Sequence, residues 1–238
     1  METQQYQTTA VTVAQARQEA STVFLAKVFN WMAIGLGLTG AIAWFTASSG
    51  LAMSIVGSPV FIILILAELG MVFYLSARIN KIQPGTATGL FLGYAVLNGL
   101  TLSTIFLAYT RASIGGTFLI TAGMFGAMAV YGMVTKRDLS GMGSFLFMGL
   151  IGIIIASIVN IFLQSSSLYW TISVIGVLVF VGLTAWDVQK IKTMGEQGIM
   201  EQGEGAVRKG AIIGALALYL DFINLFLMLL RFFGGSRD

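Results

Sequence analysis

Seven long apolar runs constrain this chain more than any other feature. They lie near residues 24–46, 60–79, 85–109, 114–134, 145–163, 168–190 and 210–233. Each has the roughly 19–25 residues that an α-helix needs to cross a hydrocarbon core about 30 Å thick. In lipid no water can bond the backbone N–H and C=O groups, so runs of this length must be helices that satisfy themselves. The implied fold class is an all-α membrane protein of seven transmembrane helices. Charge agrees: 10% of the 238 residues are Asp, Glu, Lys or Arg, against about 25% in soluble domains.

The chain contains neither Cys nor His. That removes disulfides, thiolate nucleophiles, Cys-ligated metals, the commonest general base and the commonest transition-metal ligand. No clustered basic face exists to hold nucleic acid. Residues 1–23 are polar and lack the basic start, apolar core and cleavage site of a signal peptide. They are expected as a flexible or surface-lying cytoplasmic tail, followed by a transmembrane domain over 24–234 and a short polar C-terminus at 235–238. With the N-terminus inside, ten of the thirteen basic residues fall on inner segments, leaving Arg111, Arg231 and Arg237 outside. Basic residues favour the cytoplasmic side, so the N-terminus is expected there. If 210–233 dipped in and returned, the split would be twelve to one; a run of that length is nevertheless long enough to cross.

Glycine patterns suggest packing. Gly35-Leu36-Gly37-Leu38-Thr39-Gly40 matches a dinucleotide fingerprint, but it sits inside one apolar run with no acidic residue before Glu68. Helix packing is the expectation there. Gly85, Gly89 and Gly93 recur every fourth residue and predict a smooth face for a neighbouring helix.

Ionisable groups inside the runs are the functional candidates, because a carboxylate at the bilayer centre costs about 2.5–3.5 kcal/mol on insertion scales. Asp221 lies deep in the last run, with Asn224 on its face. Glu68 lies mid-run in the second, and Arg78 ends it; ten helical residues separate them by about 15 Å and about 80°, so they do not pair. Asn98 is expected to make an interhelical hydrogen bond. Asp187 lies near the end of the sixth run, three residues before Lys190. Counted from Lys209, Asp221 is about 18 Å along its helix, so an ideal bundle leaves Asp187 and Asp221 at different levels. Tilt, a kink or a water-filled funnel is needed to join them.

Two motifs carry a resemblance. Val181-Gly182-Leu183-Thr184-Ala185-Trp186-Asp187-Val188-Gln189-Lys190 is one, and Gly214-Ala215-Leu216-Ala217-Leu218-Tyr219-Leu220-Asp221-Phe222-Ile223-Asn224-Leu225-Phe226 the other. Together with Thr135-Lys136-Arg137-Asp138-Leu139-Ser140 and Asn98-Gly99-Leu100-Thr101-Leu102-Ser103, they resemble the Bax inhibitor-1 family over essentially everything after the polar tail. The chain is especially similar to inner-membrane members of enteric and related bacteria. The resemblance implies a seven-helix fold with the last helix central. It also implies a pH-sensitive calcium leak governed by two aspartates, matching Asp187 and Asp221 here, with a basic latch matching Arg78 by location. Glu68 is a candidate pore acid, loosely matched. Asp187 and Asp221 are then the proton-sensing groups and a weak, transient calcium site, with no resident cofactor.

The physics of such a pair is compatible with that role. One negative charge on the pair could hold Arg78 and keep the cytoplasmic side closed, and added protons would weaken that hold. Two other classes stand beside it. A regulator would bind another membrane protein, such as a membrane protease, through residues 1–23 or the loop 191–209. An intramembrane aspartyl protease would also use two aspartates sharing a proton, but Leu218-Tyr219-Leu220 precede Asp221 where such enzymes have glycine. The expected partners are the lipid bilayer, calcium ions or protons, and a membrane-protein partner; nucleic acid is not among them.

Overall fold

The computed structural model describes residues 2–235, and their side chains from residue 15 onward. The described residues form nine α-helices: α1 (Glu2–Ser48), α2 (Leu51–Ile55), α3 (Pro59–Arg78), α4 (Pro84–Leu102), α5 (Ile105–Ala108), α6 (Arg111–Val134), α7 (Ser140–Leu163), α8 (Ser166–Glu196) and α9 (Glu204–Phe233). Seven segments are long and apolar enough to cross a membrane, with α4 and α5 together making one. The fold is an all-α transmembrane bundle.

Local chemistry explains the breaks. Gly50 and Gly57 hold φ of 80° and 76° on either side of α2, a backbone conformation that costs glycine little. Both prolines of the chain, Pro59 and Pro84, sit at the first turn of a helix, where a missing N–H is not needed. Thr110 and Ser165 cap α6 and α8 by accepting the amide protons of Ser113 and Leu168. The run 85–109 breaks at 103–104, where the Ser103 and Thr104 hydroxyls donate to the carbonyls of Leu100 and Thr101 and compete with helix continuation.

Three expectations change. The segment 1–23, expected as flexible or surface-lying, is helical from Glu2 and continuous with the first span. It has no Gly or Pro to stop it and is rich in helix formers. At Ser21 it already packs into the bundle, its hydroxyl donating to the Lys192 carbonyl at 3.1 Å. The loop expected over 191–209 shrinks to residues 197–203, because helix formers such as Lys192, Met194 and Glu196 extend α8, and Glu204, Ala206, Arg208 and Lys209 begin α9 early. Gly85 and Gly89 do not receive a neighbouring helix: a Cβ there would meet nothing within 4 Å, and one at Gly93 only the Met71 side chain. The buried face of α4 is instead Ala87, Phe91, Tyr94, Ala95 and Asn98, about half a turn round the helix. Gly35 does pack closely, against Phe91 and Tyr219, whereas Gly37 and Gly40 are open; the pattern 35–40 lies within α1, with no strand before it.

Helix α9 occupies the centre. In the apolar window of α9, 72% of residues are buried, against 6% for α3 and 11% for α7. It touches α1, α4, α6 and α8, whereas α3 packs chiefly on α4, and α7 on α8. Large side chains such as Phe73, Leu119, Phe145 and Phe162 point outward. Such an apolar surface suits hydrocarbon rather than water.

Candidate functional site

Asp221 reaches the bundle interior because α9 is surrounded. It is 4% exposed, and neighbouring Phe222 is buried with it. Asp187 is half-buried on α8. The two carboxyl groups hydrogen-bond to each other, and no N–H or hydroxyl group donates to Asp221 Oδ2. A hydrogen bond between two carboxyl groups needs at least one proton, so the pair carries at most one negative charge while it lasts.

The register of α8 on α9 removes the expected mismatch in depth. A Cβ at Gly214 would lie 3.3 Å from Ile191, which places these two residues at one level. One turn from Ile191 toward the centre is Asp187; the same step from Gly214 reaches Leu218. Asp221 therefore stands one turn, about 5 Å, beyond Asp187. In an antiparallel pair each side chain leans toward its own helix N-terminus, so the two aspartates lean toward each other and close that turn. Lys190 and Lys209, used above as a common water level, are not level. The first turns of α9 overhang the end of α8, and Ile199 of the connecting turn folds back against Gly210.

Lys190 is the cation that acts on Asp187, and its ammonium stands 5.1 Å from the centre of the Trp186 ring. Arg78 is not brought to the pair. It is exposed at the end of α3, a helix packed on α4 rather than on α8 or α9. Among the described residues the one ion pair is Lys192–Glu196, at 3.7 Å. Yet Ile79 and Asn80, directly after Arg78, line a cavity of about 570 Å³ with Met194, Ile199, Lys209 and Ile213. Ile213 lies two turns, about 12 Å, before Asp221, so this vestibule opens below the pair. At the other end of α9, Arg231 donates to the buried Ser173 hydroxyl at 3.2 Å and covers the Tyr169 ring at 4.5 Å. Asn224 does not join Asp221; its amide donates to the Leu220 carbonyl of its own helix.

A second polar cluster lies on the other flank of α9. Glu68 accepts from Asn98 Nδ2 at 3.2 Å and from the Thr101 hydroxyl. Asn98 thus makes the interhelical bond expected of it. Its Oδ1 accepts from the Tyr219 hydroxyl at 3.1 Å, and that hydroxyl also meets Thr39 Oγ1 at 2.6 Å. Thr39 Oγ1 in turn donates to the Ala95 carbonyl at 2.8 Å. Tyr94, whose hydroxyl is 3.4 Å from Asn98 Nδ2, completes the cluster. Sequence reasoning missed Tyr219, Thr39, Tyr94 and Thr101. A signal was present: Thr101 follows Asn98 by three residues on one helical face, and Tyr219 is the one aromatic hydroxyl in the last run.

Among the described residues no group of three acidic, His or Cys side chains could hold a metal. The two aspartates can supply at most four oxygens, short of the 6–8 that calcium prefers.

A family model described as "Inhibitor of apoptosis-promoting Bax1" matches residues 21–238. Over 216 residues the chain is 56% identical to the inner membrane protein YbhL of Escherichia coli strain K12, covering 90% of this chain and 92% of that one. It is 47% identical over 232 residues to an uncharacterized protein of Borreliella burgdorferi, covering 96% and 99% respectively. An uncharacterized membrane protein of Streptococcus pyogenes serotype M3 is 40% identical over 217 residues, covering 90% and 93%.

Proposed function

The chain belongs to the Bax inhibitor-1 family, and from that premise we propose that it is a pH-sensitive calcium leak of the bacterial inner membrane. The observation that carries this reading is the carboxyl pair, Asp187 with Asp221, in the interior of an apolar bundle where a charge is costly. The vestibule below it opens at the end of the bundle that holds Lys81, Lys136, Arg137, Lys190 and Lys209. We place that basic end, and the N-terminus, in the cytoplasm.

Calcium is the cargo and meets the pair's oxygens in passing. Four carboxylate oxygens attract it without completing its shell, and release from so incomplete a site stays fast. The charge on the pair also governs closure. While the pair is negative, Lys190 is held against Asp187 and the approach from the vestibule is narrow. Arg78 stands at the rim, where a small shift of the α3 end adds a second cation to the same field. Proton uptake neutralises the pair, frees Lys190 and favours opening, so the leak rises as pH falls.

Geometry gives the protease reading less support. Leu218 and Leu225, one turn to either side of Asp221 on α9, are buried with it, so the helix is packed where such an enzyme needs an open backbone.

The test is calcium flux into sealed proteoliposomes across pH. Asp221→Asn and Asp187→Asn should each abolish the pH dependence. Equal flux and an equal pH profile in wild type and Asp221→Asn would sink the leak and favour a regulator that transports nothing.

A further inference from the structure

We propose that the Tyr219 hydroxyl couples two acidic centres, transmitting the state of Glu68 on α3 across α9 to the Asp187–Asp221 pair. The proposal deepens the leak reading and rests on it for its physiological meaning.

Tyr219 and Asp221 are two residues apart on one helix, so they project about 200° apart, to opposite flanks. Tyr219 is fully buried, and its hydroxyl ends an unbroken chain that runs through Asn98 to Glu68. That chain has too few hydrogens. The Tyr219 and Thr39 hydroxyls bring one proton each, yet three contacts call on them: Asn98 Oδ1, the Ala95 carbonyl and the link between the two hydroxyls. At 2.6 Å the link between the hydroxyls must itself hold a hydrogen, which leaves two arrangements. In one arrangement Thr39 donates to Tyr219 and Tyr219 donates to Asn98, leaving the Ala95 carbonyl without its hydroxyl donor. In the other Thr39 donates to Ala95 and Tyr219 donates to Thr39, leaving Asn98 Oδ1 without a donor.

Glu68 biases the choice. A charged Glu68 grips the Asn98 amide nitrogen and aims its oxygen at Tyr219, drawing Tyr219 toward α4. A neutral Glu68 accepts more weakly, which loosens Asn98 and returns Tyr219 to Thr39 on α1. Tyr219 and Asp221 stand two residues apart on the one continuous helix α9, so a pull on its Tyr219 side changes how Asp221 meets Asp187. The titratable groups facing Glu68 and Tyr219 are Tyr94 and each other. On the far flank Asp221 faces Asp187, which Lys190 also acts on. Among the described residues no Lys or Arg bonds to either cluster.

Infrared spectroscopy of the purified, reconstituted protein tests this without requiring flux. The protonated-carboxyl band lost in Asp221→Asn reports the pair, and its pH midpoint is read in wild type, Glu68→Gln, Tyr219→Phe and the double variant. Glu68→Gln should move the midpoint by about 0.5 unit or more, the scale of coupling within one network. In the Tyr219→Phe background that displacement should vanish. Asn98→Ala, which cuts the chain one link earlier, should abolish it too and serves if Tyr219→Phe does not fold. A Glu68→Gln displacement that survives both changes would show a direct field between the acids and overturn the proposal, as would no displacement in the native background. Calcium flux measured on the same samples separates the two claims. Absent flux from wild type overturns the leak, while the infrared midpoints still decide the coupling.

Discussion

A single methyl group measures how closely two helices approach. At Gly132 on α6 a Cβ would collide with the Ala185 carbonyl oxygen, two residues from Asp187. Backbone cannot step aside as a side-chain tip can, so Gly132→Ala should destabilise the fold by about 1–3 kcal/mol. Gly143→Ala meets the Trp186 ring and should act in the same direction. Gly89→Ala meets nothing within 4 Å and should leave the unfolding midpoint unchanged or slightly raised, since alanine favours a helix over glycine. Thermal unfolding in one detergent compares the three; equal losses at Gly132 and Gly89 would contradict the close α6–α8 contact. The same contact fixes the backbone of α8 two residues from Asp187, on the opposite side of the helix.

At the scale of elements, the join between α6 and α7 is clasped by α8. Gln189 accepts from the Leu139 amide and donates to the Arg137 carbonyl, both at 2.8 Å, and Lys192 donates to the Met133 carbonyl. Gln189→Ala removes two of these bonds and should cost about 1–2 kcal/mol. The expected sign is faster amide exchange confined to residues 135–140, with the span interiors unchanged. Asp138 starts α7 by accepting from the Ser140 amide at 2.9 Å. The Ser140 hydroxyl, and then its N–H, hold the exposed Asp138 carboxyl below the usual carboxylate range. Its contribution is therefore complete above the unfolded value of about 3.9, and is lost as pH falls through the lower folded value. Asp138→Asn should lose that pH dependence, so exchange at the start of α7 should match wild type only once pH has fallen below that lower folded value. A variant that still loosens with acid as wild type does would place the effect elsewhere.

For the whole molecule, orientation and charge decide how the bundle works. The chain has no Cys, so single cysteines report sidedness without background. Lys136→Cys should react with a membrane-impermeant thiol reagent only after the inner face is opened, and Ser49→Cys in intact spheroplasts. The reverse pattern would invert the bundle and turn the proposed vestibule outward. Surrounded by its neighbours, α9 gives the bundle two polar flanks: the aspartate pair on α8, and the Glu68 cluster shared by α1, α3 and α4. Helix α9 carries a residue of each flank, Tyr219 and Asp221, which makes it a natural point of control.

Hydrophobic length was enough to determine the seven spans, because in lipid the backbone has one way to satisfy itself. Composition and residue type also marked Asp187, Asp221, Glu68 and Asn98 as costly inside hydrocarbon. The motifs around both aspartates pointed to the family that the comparisons then supported. The meeting of the two aspartates lay beyond sequence counting, since it depends on how α8 slides along α9. That register is set by Ile191 on Gly214, a contact between residues with no signature of their own. For the same reason the glycines at 85 and 89 misled, and of Gly35, Gly37 and Gly40 only Gly35 packs closely: helical period says which residues share a face, but only packing says which face another helix covers. The cluster around Tyr219 draws its parts from four helices, and hydrogen bonds between distant segments leave no mark in the order of residues.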